Sequence, residues 1–207
     1  MSSVRPRFQS LVVLLSVSVL AACASREASK TADSATSVTP QHVDSILPRA
    51  EELARFRRGL GDSVAELNSP FRSRDALVDA FVKRLQTRDT TGLVALAMSK
   101  SEFAWIYYPT NPIGLPPYDL SAGLMWFRLE GNSRKGLVHA LEDRGGRDLR
   151  VVGYSCESTD TEGENRIHNR CALKRVQAPG DTIAEILFGG IIEHHGRFKL
   201  IGFTNKL

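Results

Sequence analysis

No stretch of this 207-residue chain is apolar for the roughly 20 residues a helix needs to cross a bilayer, and cysteines number only three. Glycine-rich phosphate loops are missing: Gly189-Gly190 lies inside a strand pattern and opens no helix. No spacing of His, Cys, Asp and Glu suggests zinc or calcium. His194 and His195 are adjacent, and neighbouring side chains on a strand point to opposite faces, so closing both on one ion needs a special turn. No metal or cofactor is therefore expected. The balance of 27 basic against 23 acidic residues, with no basic stretch interleaved with aromatics, argues against nucleic acid as a partner.

What is present is concentrated at the start. Met1 to Ala22 has the three parts of an export signal: an n-region with Arg5 and Arg7 and no acid, an apolar segment from Leu11 to Leu20, and small residues before a break. Removing it takes away two arginines and lowers the formal net charge from +4 to +2. An ordinary secretory signal would be cut near Ala22 or Ala24, leaving Cys23 removed or free. The order Leu20-Ala21-Ala22-Cys23, however, resembles the lipobox of bacterial lipoproteins. That resemblance implies cleavage before Cys23, a diacylglyceryl group on its thiol and an acylated amino terminus. Several buried chains, at about 0.8 kcal/mol per methylene, anchor stably where one is marginal. The implied location is the bacterial cell envelope, with the membrane as partner; Ala24 suits the periplasmic face of an outer membrane where a cell has two. With Cys23 on lipid, Cys156 and Cys171 remain as an even pair in an oxidising compartment. A disulfide closing about 15 residues contributes about 3 kcal/mol in the chain-entropy model. A redox couple would instead show Cys-x-x-Cys spacing at a helix start.

Ala24 to Thr39 is Ser, Thr and Ala with scattered charges and no apolar period, which reads as a tether. The expected organisation is a signal peptide over 1–22, anchor and tether over 23–40, and a single α+β domain with an N-terminal helical extension over 41–207. That extension begins at Pro48, with Leu53, Phe56 and Leu60 on one face and a basic cluster, Arg55, Arg57 and Arg58, on the other, either solvated or set against anionic lipid. Ser73 is a good N-cap for a helix to Thr87 whose Leu77, Val78, Phe81, Val82 and Leu85 form a broad buried stripe. Asp89 caps a second, short helix. Ser101 to Tyr108 gathers Phe103, Trp105, Tyr107 and Tyr108 ahead of four prolines that forbid regular structure. This is either a lip over a cavity or core rings followed by a stiff crossing. Leu120 to Arg144 predicts a long helix weakened by Gly131 and Gly136, with Leu124, Phe127, Leu137, Val138 and Leu141 buried and His139 partly so.

After Arg147 the period becomes extended. Strands are expected over Leu149–Cys156, Arg166–Val176, Thr182–His194 and Arg197–Thr204, the third bulged at Gly189-Gly190 and the last two joined through His195-Gly196. If Cys156 faces Cys171, Tyr154 lies opposite Leu173 and Val152 opposite Arg175. Both faces of the third strand are apolar, so the helix after Pro48 or a second copy must cover one of them.

Helices followed by a curved four-stranded antiparallel sheet ending in Glu193-His194-His195-Gly196-Arg197-Phe198-Lys199 are similar to the NTF2-like cone fold. That resemblance implies a pocket, for which Trp105, Tyr107, Tyr108 and Trp126 are candidate lining, and admits both binding domains and isomerase or dehydratase enzymes. Candidate acids and bases are His139, His168, Glu185, Tyr107 and Tyr108, none with a supporting signature. The expectation is a lipid-anchored envelope domain without catalysis that binds a small apolar molecule, a peptide or an envelope protein, a homodimer included. The alternative is an NTF2-like enzyme acting on a small apolar substrate.

Overall fold

A computed structural model describes residues 47–205. The signal segment, Cys23 and the tether lie outside the described residues. Among those described, no helix is long and apolar enough to cross a membrane.

The chain folds as α+β, helices first. Helix α1 is Arg49–Arg57, α2 Arg74–Gln86, α3 Thr90–Leu96, α4 Lys100–Glu102 and α5 Ala122–Asp143. The caps follow local chemistry: Ser73, Asp89 and Ser121 each accept a hydrogen bond from the backbone N–H three residues on. The ring cluster Phe103–Tyr107 forms a π-helical turn, and where prolines were expected to forbid regular structure the chain instead takes 3-10 turns over Tyr108–Thr110 and Pro112–Gly114. Pro109 is the second residue of the first 3-10 turn and Pro112 the first of the next, both within the opening turn where a missing N–H costs nothing.

The extended half is divided between two antiparallel sheets. One has three strands, ordered β1 (Val151–Ser155), β4 (Ala172–Ala178), β5 (Asp181–Glu185); the other has four, ordered β2 (Ser158–Glu162), β3 (Asn165–Asn169), β6 (Phe188–His194), β7 (Arg197–Phe203). This corrects the expectation of one curved four-stranded meander, since neither sheet is strongly curled. The second and third expected strands each break in two, at Arg170-Cys171 and at Ile186-Leu187, and the polar run Ser158–Glu162 is itself a strand. The breaks are in register, because Ser155 pairs with Ala172 on one side of the junction and Ser158 with Asn169 on the other. The Cys156–Cys171 disulfide lies at that junction. Tyr154 is opposite Leu173 as expected, but a bulge beside Gly153 sets Val151, not Val152, opposite Arg175. A second bulge falls at Gly190.

Both faces of β6 are covered within the chain. Ile191 joins a core with Leu77, Phe81 and Leu85 of α2, Leu93 and Leu96 of α3, and Leu137 and Ala140 of α5. Ile192 joins a second core with Phe103, Tyr107, Tyr108 and Met125, against which Leu53 and Phe56 of α1 pack. Helix α1 is held there by two arginines, one of them from the basic cluster. Arg57 donates to the Ala104 carbonyl and lies 3.7 Å from the Trp105 ring centre, and Arg49 donates to the carbonyls of Tyr108 and Pro109.

Helix α5 buries Leu137 and packs Leu141 on the core as expected, but the rest of its buried face differs. Ala122, Met125, Gly136, Leu137 and Ala140 are buried, whereas Leu124, Phe127, Val138 and His139 are exposed, Phe127 by 73%. Close approach decides this rotation: a Cβ on Gly136 would lie 2.4 Å from the Thr204 carbonyl oxygen. The outer edge of β7 is engaged as well, with Met98 N donating to Leu200 O and Phe203 N to Ser133 Oγ.

Candidate ligand cavity

Strand β7 runs Arg197-Phe198-Lys199-Leu200-Ile201-Gly202-Phe203, and the two-residue period puts Lys199, Ile201 and Phe203 on one face. Facing them across a gap, α5 supplies Trp126, Leu129, Ser133 and Leu137, while the segment after α3 supplies Ala97, Met98 and Ser99. Together they line a half-open cavity of about 550 Å³ with a mainly apolar lining. Its size is in the range of small-molecule sites. Val94, Lys100, Glu130 and Arg134, all exposed, also line it, whereas Met98, Leu137, Lys199 and Phe203 are buried.

Lys199 is the unusual member, a lysine whose side chain is 6% exposed. Its ammonium donates to Glu102 Oε2 at 2.9 Å, and Glu102 is 2% exposed. Glu102 is fixed by local sequence: Ser99-Lys100-Ser101-Glu102 forms a capping box, with Ser99 N donating to Oε2 at 2.7 Å and Glu102 N donating to Ser99 Oγ. Asn68 N donates to Oε1 at 2.7 Å. Three donors thus converge on one carboxylate, which serves as a built-in counter-ion beneath the cavity wall. An ammonium has three N–H groups, and Glu102 takes one of them.

Of the residues nominated from sequence as pocket lining, Trp126 lines this cavity. Trp105 lines a separate cleft beside His194 and His195. Tyr107 and Tyr108 pack into the second core, and Tyr108 donates its hydroxyl to Leu120 O. Burial, and then the charge of Glu162, push the Tyr107 hydroxyl far above its ordinary pKa.

The nominated acids and bases do not meet. His139 is exposed on α5, and the expectation of partial burial is corrected. His168 is buried with Nδ1 2.9 Å from Thr159 Oγ1 and Nε2 3.3 Å from Glu193 Oε2; burial holds its pKa below the usual imidazole range. Glu185 is gripped by Arg144 and Arg175, whose hydrogen bonds outweigh burial and hold its pKa below the usual carboxylate range.

Lys199 and Glu102 were missed in the sequence because isolated charges read as surface. The signals were there: Lys199 shares an alternating row with Ile201 and Phe203, and Ser99-x-x-Glu102 is a capping pattern. His194 and His195 were expected on opposite faces. Their rings lie 4.0 Å apart because His195 opens the turn with a φ of +47° and Gly196 completes it at +71°. No family model, curated protein or solved structure matches the chain.

Proposed function

We propose that this is a lipid-anchored protein of the bacterial cell envelope whose folded domain binds, without catalysis, a small molecule with an apolar body and an anionic end. The observation that carries the binding role is the cavity between α5 and β7, apolar along Trp126, Leu129, Ile201 and Phe203, with Lys199 in its wall. Lys100 and Arg134 against Glu130 leave its exposed margin net cationic, which favours an acidic head group. Glu102 fits a counter-ion better than a base, since it already accepts from Asn68, Ser99 and Lys199. That arrangement favours binding over the isomerase or dehydratase alternative.

Export and anchoring rest on Leu20-Ala21-Ala22-Cys23 and on the positively charged start before the apolar run. The Cys156–Cys171 bridge is in keeping with an oxidising compartment. An NTF2-like relationship is part of this reading and is supported by element order, with helices ahead of the antiparallel strands and a long helix, α5, lying against β7.

The test is displacement of a fluorescent fatty-acid analogue, followed also through tryptophan emission with Trp105 replaced by Phe. A medium-chain carboxylate should displace the probe more strongly than the alcohol of equal length, and Lys199→Met should abolish that difference. Equal displacement by acid and alcohol in the unmodified protein would refute the anionic end, and no saturable probe binding would refute the cavity. For the anchor, radioactive fatty acid should label the chain but not a Cys23→Ser variant.

A further inference from the structure

We propose that Glu164, His194 and His195, together with the Ala65 carbonyl, form a site for a divalent transition-metal ion of the zinc class. Two hairpin tips bring them together: Gly163-Glu164 joins β2 to β3, and His195-Gly196 joins β6 to β7. One ligand atom from each of the three side chains can be chosen so that all lie within 4.8 Å of one another. His195 Nε2 is 3.6 Å from Glu164 Oε2. Ligands on a tetrahedral zinc stand about 3.4 Å apart, from bonds of about 2.0–2.1 Å, and the side chains of Glu164 and His195 are exposed enough, 77% and 49%, to close that difference by rotation.

Proximity alone would be ordinary surface chemistry; the buried member makes it a site. His194 is 6% exposed and is held between two acceptors, with Nδ1 2.8 Å from Asn165 Oδ1 and Nε2 3.1 Å from the Ala65 carbonyl oxygen. The Asn165 amide cannot turn round, because its Nδ2 donates to the Ile106 carbonyl at 2.9 Å and to Thr110 Oγ1 at 3.1 Å. A neutral imidazole has one donor and one acceptor. Either tautomer therefore turns one lone pair on an acceptor; with Nδ1–H donated to Asn165 it is Nε2 that faces the oxygen of Ala65. A metal ion bound to Nε2 would resolve the clash. A metal uses the Nε2 lone pair and the oxygen together, while Asn165 fixes the ring from behind, as an outer partner of a metal-bound histidine does. Imidazole nitrogen with one carboxylate suits zinc better than calcium or magnesium.

Calorimetric titration of the full chain, stripped of metal and near neutral pH, with zinc chloride tests this directly. One equivalent should bind, and the exposed-residue variants His195→Ala and Glu164→Gln should each weaken binding by about tenfold or more. The control His139→Ala should not change it. Zinc should also raise the unfolding temperature of the unmodified protein more than that of either variant. No stoichiometric binding, or binding that neither variant weakens, overturns the proposal.

Discussion

Removing the Glu102 carboxylate while keeping Lys199 tests whether the pair under the cavity wall is as tightly coupled as its geometry implies. In Glu102→Gln the shape persists, but a 6%-exposed ammonium loses its counter-charge and two backbone N–H groups trade a carboxylate for, at best, a neutral acceptor. Breaking one side of a buried ion pair costs about 3–5 kcal/mol. For a folded body of this size each kcal/mol shifts the melting temperature by about 2–4 °C, so a fall of about 6–20 °C is expected. Lys199→Met should cost less, about 1–3 kcal/mol, because Glu102 keeps the Asn68 and Ser99 donors. The double variant should be more stable than the sum of the single effects predicts, because neither partner is then left alone. Thermal and urea denaturation of the four proteins measure this. A Glu102→Gln loss below about 1 kcal/mol, or strictly additive effects, would refute a coupled buried pair.

Three further outcomes are expected. Replacing Cys156 and Cys171 together by serine should lower stability by about 3 kcal/mol for a bridge spanning 15 residues, and chemical denaturation of the variant against the oxidised protein measures it. Glu185→Gln should cost about 2 kcal/mol at neutral pH by leaving Arg144 and Arg175 without their carboxylate. Because the folded pKa of Glu185 lies below its ordinary 4.5, that contribution is present above 4.5 and is lost as pH falls through the lowered folded value; melting curves of the two proteins should therefore converge in acid. Gly136→Ala should destabilise by about 2 kcal/mol through collision with the Thr204 carbonyl. Gly131→Ala on the same helix meets nothing within 4 Å and should stabilise by up to about 1 kcal/mol, so thermal melts should move in opposite directions.

Features set by neighbours along the chain were readable before the structure. Ser73 and Asp89 cap their helices because a side-chain oxygen needs only the N–H three residues ahead, and His195-Gly196 turns because its two residues tolerate positive φ. Features set by contact at a distance were not. The break at Arg170-Cys171 has no glycine or proline to announce it; Arg170 takes a φ of +49° within a continuous β-type pattern. Strand β2 was hidden because its polar residues face solvent on both sides and leave no period to detect. On α5, hydrophobic size suggested Phe127, yet the small residues Ala122, Gly136 and Ala140 chose the packed face. At the cavity, Trp126 was nominated through the pocket that the fold resemblance implied, whereas Lys199 needed its own burial to be noticed.

The occupied edge of β7 bears on how this protein meets others of its kind. In the four-stranded sheet, strand addition by a foreign peptide or a sister molecule is blocked at β7, where Met98 and the Ser133 hydroxyl have taken backbone groups. Among the described residues β2 is the other edge strand of that sheet, and its Asp160 and Glu162 put negative charge where a second copy of the strand would pair. Fibre growth from this sheet is thus discouraged at both margins.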